Sequence, residues 1–347
     1  MRVTIALVLI AAALAACGRS SDSGTILPTN SSIVRPASGG ITITAYPLPS
    51  ANTFLPAIAP GPDGNLWVSE YDDSALVRMS TRGVATEFGT PTVASGPTEI
   101  TPGPKGNLWF SEFNVNKIAR ATTSGTIVEY TLPAQWATSD FPGLRGITVG
   151  LDGNIWFLHA GGNLVGKMSP NGVLLATYAV PTPNSQPSVI VDGPDGNLWF
   201  TESFGDKIGR ITLNGQITEF QVPTPVPSGS DGPIGITPGL DGNLWFTEST
   251  ASKIGKITTS GTITEYPTPT SARLKRITTA LDGSLWFAEL GVGQVGRIDP
   301  RTGKISEFVL NPSIPNGRPD GITTGPDGNI WTVDQYADVV YKIVTTR

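Results

Sequence analysis

Acidic side chains recur at one position of the sequence, three residues after a tryptophan. Six of these residues are carboxylic acids and one is the only histidine of the chain, in the order Glu70, Glu112, His159, Glu202, Glu248, Glu289 and Asp334. Carboxyls and a histidine can perform general acid–base chemistry or bind a metal ion. Because a catalytic site needs particular groups at one place, an acid present in nearly every unit instead indicates structural hydrogen bonding. His159 interrupts the pattern, and two interpretations stay open, a neutral substitution and a ligand contact.

These acids belong to a repeated unit that is marked by its tryptophan. The repeat tryptophans are spaced 41 to 47 residues apart and are Trp67, Trp109, Trp156, Trp199, Trp245, Trp286 and Trp331. Each unit carries four short runs of β-branched, aromatic or alternating residues, as residues 234–268 illustrate. Repeats of this length with four strands each are typical of propeller blades. We therefore predict an all-β fold, a seven-bladed β-propeller of four-stranded blades, with the tryptophans packed between blades and not arranged as a ligand-stacking platform.

An Asp-Gly pair precedes most of these tryptophans, as Asp241-Gly242 precedes Trp245. Asp-Gly between apolar runs is typical of a tight hairpin turn, in which central residues adopt positive φ. A calcium loop is the alternative, but it needs several acids at a fixed spacing that is missing here. We predict plain turns.

The last unit ends with its third strand at the C-terminus of the chain. Residues 40–49 match the pattern of residues 261–269, which form the fourth strand signal of an earlier unit. We predict that residues 41–46 supply the fourth strand of the seventh blade and that residues 41–347 form the propeller. Closing the ring in this way removes open sheet edges.

The N-terminus has the features of an export sequence. Residues 1–16 combine a basic start with an apolar, alanine-rich run, which is typical of a signal peptide. Leu14-Ala15-Ala16-Cys17 resembles the bacterial lipobox, in which the cysteine is lipidated; the alternative is a leftover thiol behind an ordinary signal peptide. Residues 17–40 are predicted to be a lipidated flexible tether. We expect an exported protein, lipid-anchored to the bacterial cell envelope on its periplasmic or outer-membrane side.

Charge and cysteine content exclude several classes of function. The net charge is −5 without a basic block, so nucleic acid is not an expected partner. One cysteine cannot build a cysteine zinc site or a disulfide framework. The Gly-x-Ser-x-Gly motif of hydrolases is missing from the sequence. We expect a monomer that contacts the membrane through its lipid anchor only.

Residues that differ from blade to blade are better candidates for a selective site. In a propeller, the first strands of all blades begin on one face, around the central channel. The residues that open them are Pro56, Thr98, Arg145, Ser188, Ile234, Lys275 and Asp320. Three of these are charged, and Trp136, the only tryptophan outside the repeat, lies in the connection before Arg145. We predict that Trp136, Arg145, His159, Lys275 and Asp320 lie around one face of the channel, as a cationic site for a carboxylate-bearing ligand.

The repeat also resembles a known family. Pro-x-Gly-Ile-Thr, Gly-Pro-Asp-Gly-Asn-Leu-Trp-Phe-Thr-Glu, Lys-Ile-Gly-Arg-Ile-Thr and Gly-x-Ile-Thr-Glu-Tyr are similar to the streptogramin B lyase (virginiamycin B lyase) family over residues 41–347, most closely in residues 193–220 and 231–266. The resemblance implies a seven-bladed propeller. It also implies a lyase that opens a cyclic depsipeptide by metal-assisted elimination, with Mg²⁺, histidine and glutamate.

At the positions where the family carries those catalytic residues, this sequence differs. Lys275 and Asp320 stand where the resemblance implies histidines, and Arg318 and Gln335 stand where it implies glutamates. We therefore predict a propeller that binds a small molecule, peptide or glycan at its channel face, with Gln335 among the candidate residues and with no metal or cofactor. The alternative is a lyase with a rebuilt active site, acting on a cyclic ester-linked or sugar-derived substrate, and only this alternative would use Mg²⁺.

Overall fold

The computed structural model describes residues 25–26, 33–37, 40–48, 50, 53–136, 143–227 and 229–345. The predicted signal peptide and the predicted lipidation site, Cys17, lie outside the described residues. Within the described part, the two helices are single 3-10 turns, Pro104–Gly106 and Ala134–Trp136. No described helix has the length and apolar character that a membrane span requires.

Thirty strands form seven antiparallel sheets, and each sheet is one blade. Strands β1 (Thr25–Ile26), β2 (Ile33–Ala37) and β3 (Ile41–Pro47) come first. Blade 1 follows with β4 (Ile58–Pro60), β5 (Leu66–Glu70), β6 (Ala75–Met79) and β7 (Ala85–Gly89). Blade 2 comprises β8 (Pro97–Pro102), β9 (Asn107–Glu112), β10 (Lys117–Thr122) and β11 (Ile127–Thr131). Blade 3 comprises β12 (Leu144–Val149), β13 (Ile155–His159), β14 (Leu164–Met168) and β15 (Leu174–Ala179).

The remaining blades repeat the same order from the channel outward. Blade 4 comprises β16 (Pro187–Asp192), β17 (Leu198–Glu202), β18 (Lys207–Ile211) and β19 (Ile217–Gln221). Blade 5 comprises β20 (Pro233–Pro238), β21 (Leu244–Glu248), β22 (Lys253–Ile257) and β23 (Ile263–Pro267). Blade 6 comprises β24 (Arg273–Thr279), β25 (Leu285–Leu290), β26 (Gln294–Ile298) and β27 (Ile305–Val309). Blade 7 comprises β28 (Pro319–Thr324), β29 (Ile330–Asp334) and β30 (Val339–Thr345), together with β3.

The ring closes as the sequence predicts. β3 pairs antiparallel with β30, from Ile41 opposite Thr345 to Pro47 opposite Val339. The first part of the propeller thus completes its last blade. The prediction of a seven-bladed all-β propeller closed by an N-terminal strand is confirmed.

Strand pairing begins earlier in the chain than predicted. β1 pairs with β7 of blade 1, and β2 pairs with β3 of blade 7, so both blades have five strands. Both strands lie within residues 17–40, the segment predicted as a tether. The outermost strands of blades present unpaired N–H and C=O groups, and an extended segment nearby can satisfy them. The segment therefore runs across the closure between the first and the last blade.

Each repeat tryptophan is buried between blades, at 0 to 1% exposure. Its ring stacks on an aromatic ring of the fourth strand of its own blade, with centroids 5.4 to 5.8 Å apart. At the closure the pair is Trp331 and Tyr46. Gly83, in the turn of the next blade, packs on Tyr46 so closely that a Cβ would lie 2.2 Å from the ring, and its φ is +88°. This turn therefore requires glycine.

Candidate functional site

The channel mouth is the face on which first strands begin and second strands end. In blade 3, Leu144 pairs with His159 and Ile147 pairs with Phe157, so a bulge takes Arg145 out of the ladder. β24 carries a corresponding register shift after Leu274, which does the same for Lys275. Bulges re-aim side chains. The two cations therefore stand at the same register of their strands, at the ends that face the mouth.

Hydroxyl groups of the preceding blades hold these two openers in place. Ser111 Oγ accepts from the Glu99 amide at 3.2 Å and donates to the Arg145 carbonyl at 2.7 Å. Thr247 Oγ1 donates to the Lys275 carbonyl at 2.6 Å. Each opener is thus positioned by a neighbouring blade, which makes the mouth a rigid surface.

An ion pair crosses the channel below the mouth. Arg276 of blade 6 pairs with Glu99 of blade 2. Both line a cavity of about 120 Å³, which is otherwise mostly apolar and includes Val189 and Ile277. Burial opposes the charge of Arg276, but the Glu99 and Asp320 carboxylates outweigh burial and raise its pKa above the usual value.

Arg145 lies next to this ion pair. Burial, and then the Arg276 guanidinium, lower the pKa of Arg145, against the opposing effect of Asp231, Glu99 and Asp320. Two guanidinium groups and three carboxylates therefore share one region of the mouth. The Arg145 guanidinium also lies 5.9 Å from the centre of the Phe113 ring.

Asp320 and Gln335 are brought together, as their positions at one end of blade 7 suggest. Both are only 6% exposed, and the Gln335 amide Nε2 donates to Asp320 Oδ2. The other carboxyl oxygen, Oδ1, has no hydrogen-bond partner among the described residues. Lys275 is half-buried, and its ammonium forms no ion pair with any described residue. Asp320 Oδ1 is therefore a buried acceptor without a hydrogen bond, and the Lys275 ammonium is a donor without an ion pair.

His159 is in a different environment from the other candidates. Its ring is fully buried, its Nδ1 accepts from the Gly162 amide at 2.8 Å and its Nε2 lies 3.1 Å from Asn116 Oδ1. Burial lowers its pKa to about 4, so the ring is neutral. Trp136 packs edge-on against it, with centroids 5.9 Å apart. Since both nitrogens are engaged within the chain, His159 supports a turn and the base of Trp136, and we do not include it in the proposed site.

The repeated glutamates lie inside the blades, each beside a glutamate of the fourth strand. Burial, followed by that neighbouring carboxylate, raises the pKa of Glu112, Glu202, Glu248 and Glu289 to about 8. The fourth-strand partner of Glu202 is Glu219, which forms an ion pair with Lys207 at 2.8 Å. In the pair of Glu202 and Glu219 a neutral carboxyl therefore lies beside an ionised one, and this arrangement serves the blade.

An aromatic arc on the same face was missed by the sequence analysis. Its four rings are Tyr336, Phe54, Tyr71 and Phe113, with neighbouring centroids 5.7 Å, 5.7 Å and 6.2 Å apart in that order. Arg318 lies 5.2 Å from the Tyr336 ring at one end, and Arg145 lies at the other. The sequence does carry one sign of this arc, because Tyr71 directly follows Glu70 and Phe113 directly follows Glu112.

The resemblance implies a magnesium ion at this mouth, and the side chains there do not fit one. Mg²⁺ prefers carboxylate and water oxygens. The corresponding positions hold Lys275, Arg318, Asp320 and Gln335, which supply one carboxylate among cations. Among the described residues, no group of three or more histidine, cysteine or acidic side chains could hold a metal ion. The use of magnesium by the lyase alternative stays a prediction.

Comparisons with known proteins agree with this architecture. Residues 25–144 and 138–343 match the family model described as the virginiamycin B lyase family. A streptogramin B lyase structure is 34% identical, with a TM-score of 0.80, and the match covers 88% of this chain and 98% of that one. No curated protein matches the chain.

Two further structures are similar to the chain to different degrees. A catalytically inactive histidine-to-alanine variant of virginiamycin B lyase from Staphylococcus aureus, with quinupristin, is 35% identical with a TM-score of 0.80, over 88% of this chain and 100% of that one. A hydrazine synthase of Kuenenia stuttgartiensis is 15% identical with a TM-score of 0.67, over 86% of this chain and 97% of that one, and shares the fold alone.

Proposed function

The chain belongs to the virginiamycin B lyase family, and from this premise we propose that it is a lipid-anchored, extracytoplasmic binding propeller. Its ligand is a small molecule or peptide that carries both a ring and a carboxylate, held at the channel mouth. The observation that carries this proposal is the aromatic arc, which is bracketed by Arg318 and Arg145.

The arc supplies a surface for the ring. Tyr336 is 55% exposed, and the other three rings of the arc are half-buried. Tyr71 is held by its hydroxyl, which donates to Asn114 Oδ1 at 2.6 Å. Rings that are fixed by neighbours lose little entropy when a flat ligand stacks on them, and aromatic pairs contribute about 0.5–1.5 kcal/mol beyond burial.

The cations supply the charge complement. The Lys275 ammonium forms no ion pair with any described residue, so it can pair with a ligand carboxylate without breaking an existing ion pair. Arg145 and Arg276 are further cations of the mouth, but the Asp231, Glu99 and Asp320 carboxylates act against their charge, so the Lys275 ammonium is the cation assigned to the ligand. Pairing with a charged donor contributes about 1.5–3 kcal/mol, so the charge contact distinguishes an acid from its amide, whereas the ring contacts add affinity for both.

Calorimetry with matched ligands tests this proposal. The probes are N-acetyl-phenylalanine and N-acetyl-tyrosine, each compared with its uncharged amide. We expect the acids to bind more tightly, and we expect Lys275→Ala and Tyr336→Ala to weaken binding about tenfold each. Arg82→Ala is the control, because it removes an exposed cation from a turn on the opposite face. Equal binding of acid and amide, or equal effects of all three substitutions, would contradict the proposal.

A second candidate function is ring opening by a rebuilt lyase site. What favours it is the identity of 34 to 36% with lyases whose chains are matched over 98 to 100% of their length. Turnover of quinupristin and of a panel of cyclic depsipeptides and lactones, with and without added Mg²⁺, tests this candidate. Product formation that is lost in Lys275→Ala or Asp320→Asn would favour catalysis over binding.

A further inference from the structure

The turn between the first and second strands holds a carboxylate in a fixed place in most blades. The indole Nε1 of the repeat tryptophan donates to an aspartate at 2.9 to 3.2 Å in five blades, where the acceptors are Asp63, Asp152, Asp195, Asp241 and Asp327. In blade 6 the indole donates to Ser284, whose hydroxyl donates in turn to Asp282. A cation of the third strand often forms an ion pair with this carboxylate, as Lys342 does at 2.7 Å from Asp327.

Blade 2 departs from this arrangement. Lys105 stands at the aspartate position, and Trp109 Nε1 is the only indole nitrogen among the described repeat tryptophans that is buried without a hydrogen-bond partner. The Asn107 amide and side chain, which bond the aspartate in other blades, turn to the Pro104 carbonyl. Buried polar groups without partners are rare, because an unmade hydrogen bond costs free energy, and a bound ligand can supply the missing acceptor.

Two unpaired cations accompany this indole. Arg120 is the cross-strand partner of Trp109, as Lys342 is of Trp331. Arg120 therefore occupies the strand position from which Lys342 reaches the Asp327 carboxylate in blade 7. Neither Arg120 nor Lys105 forms an ion pair with any residue that the structure describes. A buried N–H donor with one cation in its own turn and another on the paired strand suits a carboxylate.

We propose that the first turn of blade 2 binds a small carboxylate anion, which takes the place that an aspartate side chain fills in the other blades. One oxygen accepts from Trp109 Nε1, and Arg120 and Lys105 balance its charge. Because Nε1 is covered here, entry of the anion requires the turn to relax. Lys105 has a left-handed φ of 62°, and its return to an ordinary conformation offsets part of that cost.

Indole proton NMR of protein labelled with ¹⁵N-tryptophan tests the site directly. The Trp109 resonance is identified by its loss in Trp109→Phe. Acetate, titrated against chloride at constant ionic strength, should shift this resonance downfield and saturably, and Arg120→Gln should weaken the apparent Kd by about tenfold or more. In Lys105→Asp the aspartate carboxylate accepts from Trp109 Nε1 within the protein. The Trp109 resonance should therefore lie downfield before any acetate is added and should not shift during the titration.

A matched variant creates the site elsewhere. Asp241→Lys removes the carboxylate of blade 5, where Lys256 lies near Trp245, and should make the Trp245 resonance respond to acetate. A wild-type Trp109 resonance that does not move, or that moves equally in Lys105→Asp, would overturn the proposal. A response to sulfate and phosphate but not to acetate or formate would overturn the assignment to carboxylates.

Discussion

Replacing Glu202 by glutamine is expected to stabilise the protein at neutral pH. The side chain is fully buried at the end of β17. Burial, and then the neighbouring Glu219 carboxylate, raise its pKa from the usual 4.5 to about 8. At pH 7 the folded protein therefore holds a proton on this group that the unfolded chain has released.

The magnitude follows from this difference in proton binding. Neutral pH lies about 2.5 units above the usual pKa, and each unit corresponds to about 1.4 kcal/mol, so holding the proton costs the folded state about 3 kcal/mol. Because the folded pKa is raised, the contribution of Glu202 to stability is full below pH 4.5 and is lost as the pH rises toward about 8. Glutamine is neutral at every pH, and its amide can still donate to Glu219. The expected gain is about 3 kcal/mol at pH 7 and close to zero at pH 4.5.

Urea unfolding followed by tryptophan fluorescence, from pH 4.5 to pH 8, measures this difference. Glu219→Gln is the matched control, since Glu219 accepts from Thr182 and pairs with Lys207 at 2.8 Å, and these contacts lower its pKa despite burial. That substitution should destabilise the protein at pH 7. A Glu202→Gln protein that is less stable than the parent at pH 7, with an unchanged slope against pH, would refute the reasoning.

Three further predictions concern the anchor, the closure and the core. Cys17→Ser should leave the exported protein without a lipid label, because Cys17 is the predicted site of the acyl chains, and stable attachment needs several of them on one residue. Membrane fractionation after lipid labelling checks this. Deleting residues 41–46 should lower the melting temperature sharply, because β30 loses its partner strand. Deleting residues 20–38 removes the outer strands β1 and β2 and should lower the melting temperature much less. Equal melting temperatures of the two deletion variants would contradict the closure model. Trp199→Ala should cost roughly 3–5 kcal/mol of unfolding free energy, since the Trp199 ring is fully buried and stacked. Trp136→Ala should cost less, because Trp136 is half-buried. Denaturant titration gives both values, and the reverse order would contradict the assignment of the two tryptophans.

The positions of the candidate residues could be predicted in part. Arg145 and Lys275 start their strands on one face because blade register follows from the repeat, which is visible in the sequence. Asp320 and Gln335 lie only 15 positions apart in one blade, so their hydrogen bond also follows from the local repeat. Whether these residues bind a ligand stays a prediction.

Other parts of the site depend on residues that are far apart in the chain. Glu99 and Arg276 are separated by 177 positions, and nothing near either residue indicates that they meet across the channel. The arc of Tyr336, Phe54 and Tyr71 joins the last blade to the first through ring closure.

The sequence by itself determined the number of blades, the four-strand unit, the closing strand and the packing role of the repeat tryptophans. These features follow from local periodicity, because strand alternation and tight turns act over a few residues and repeat at a constant spacing. Only the tertiary structure decided which side chains converge: the channel ion pair, the neutral and ionised glutamates of blade 4, and the unpartnered Trp109 Nε1. The physical reason is that burial and charge depend on neighbours from other strands and blades, and those neighbours are set by the closed ring.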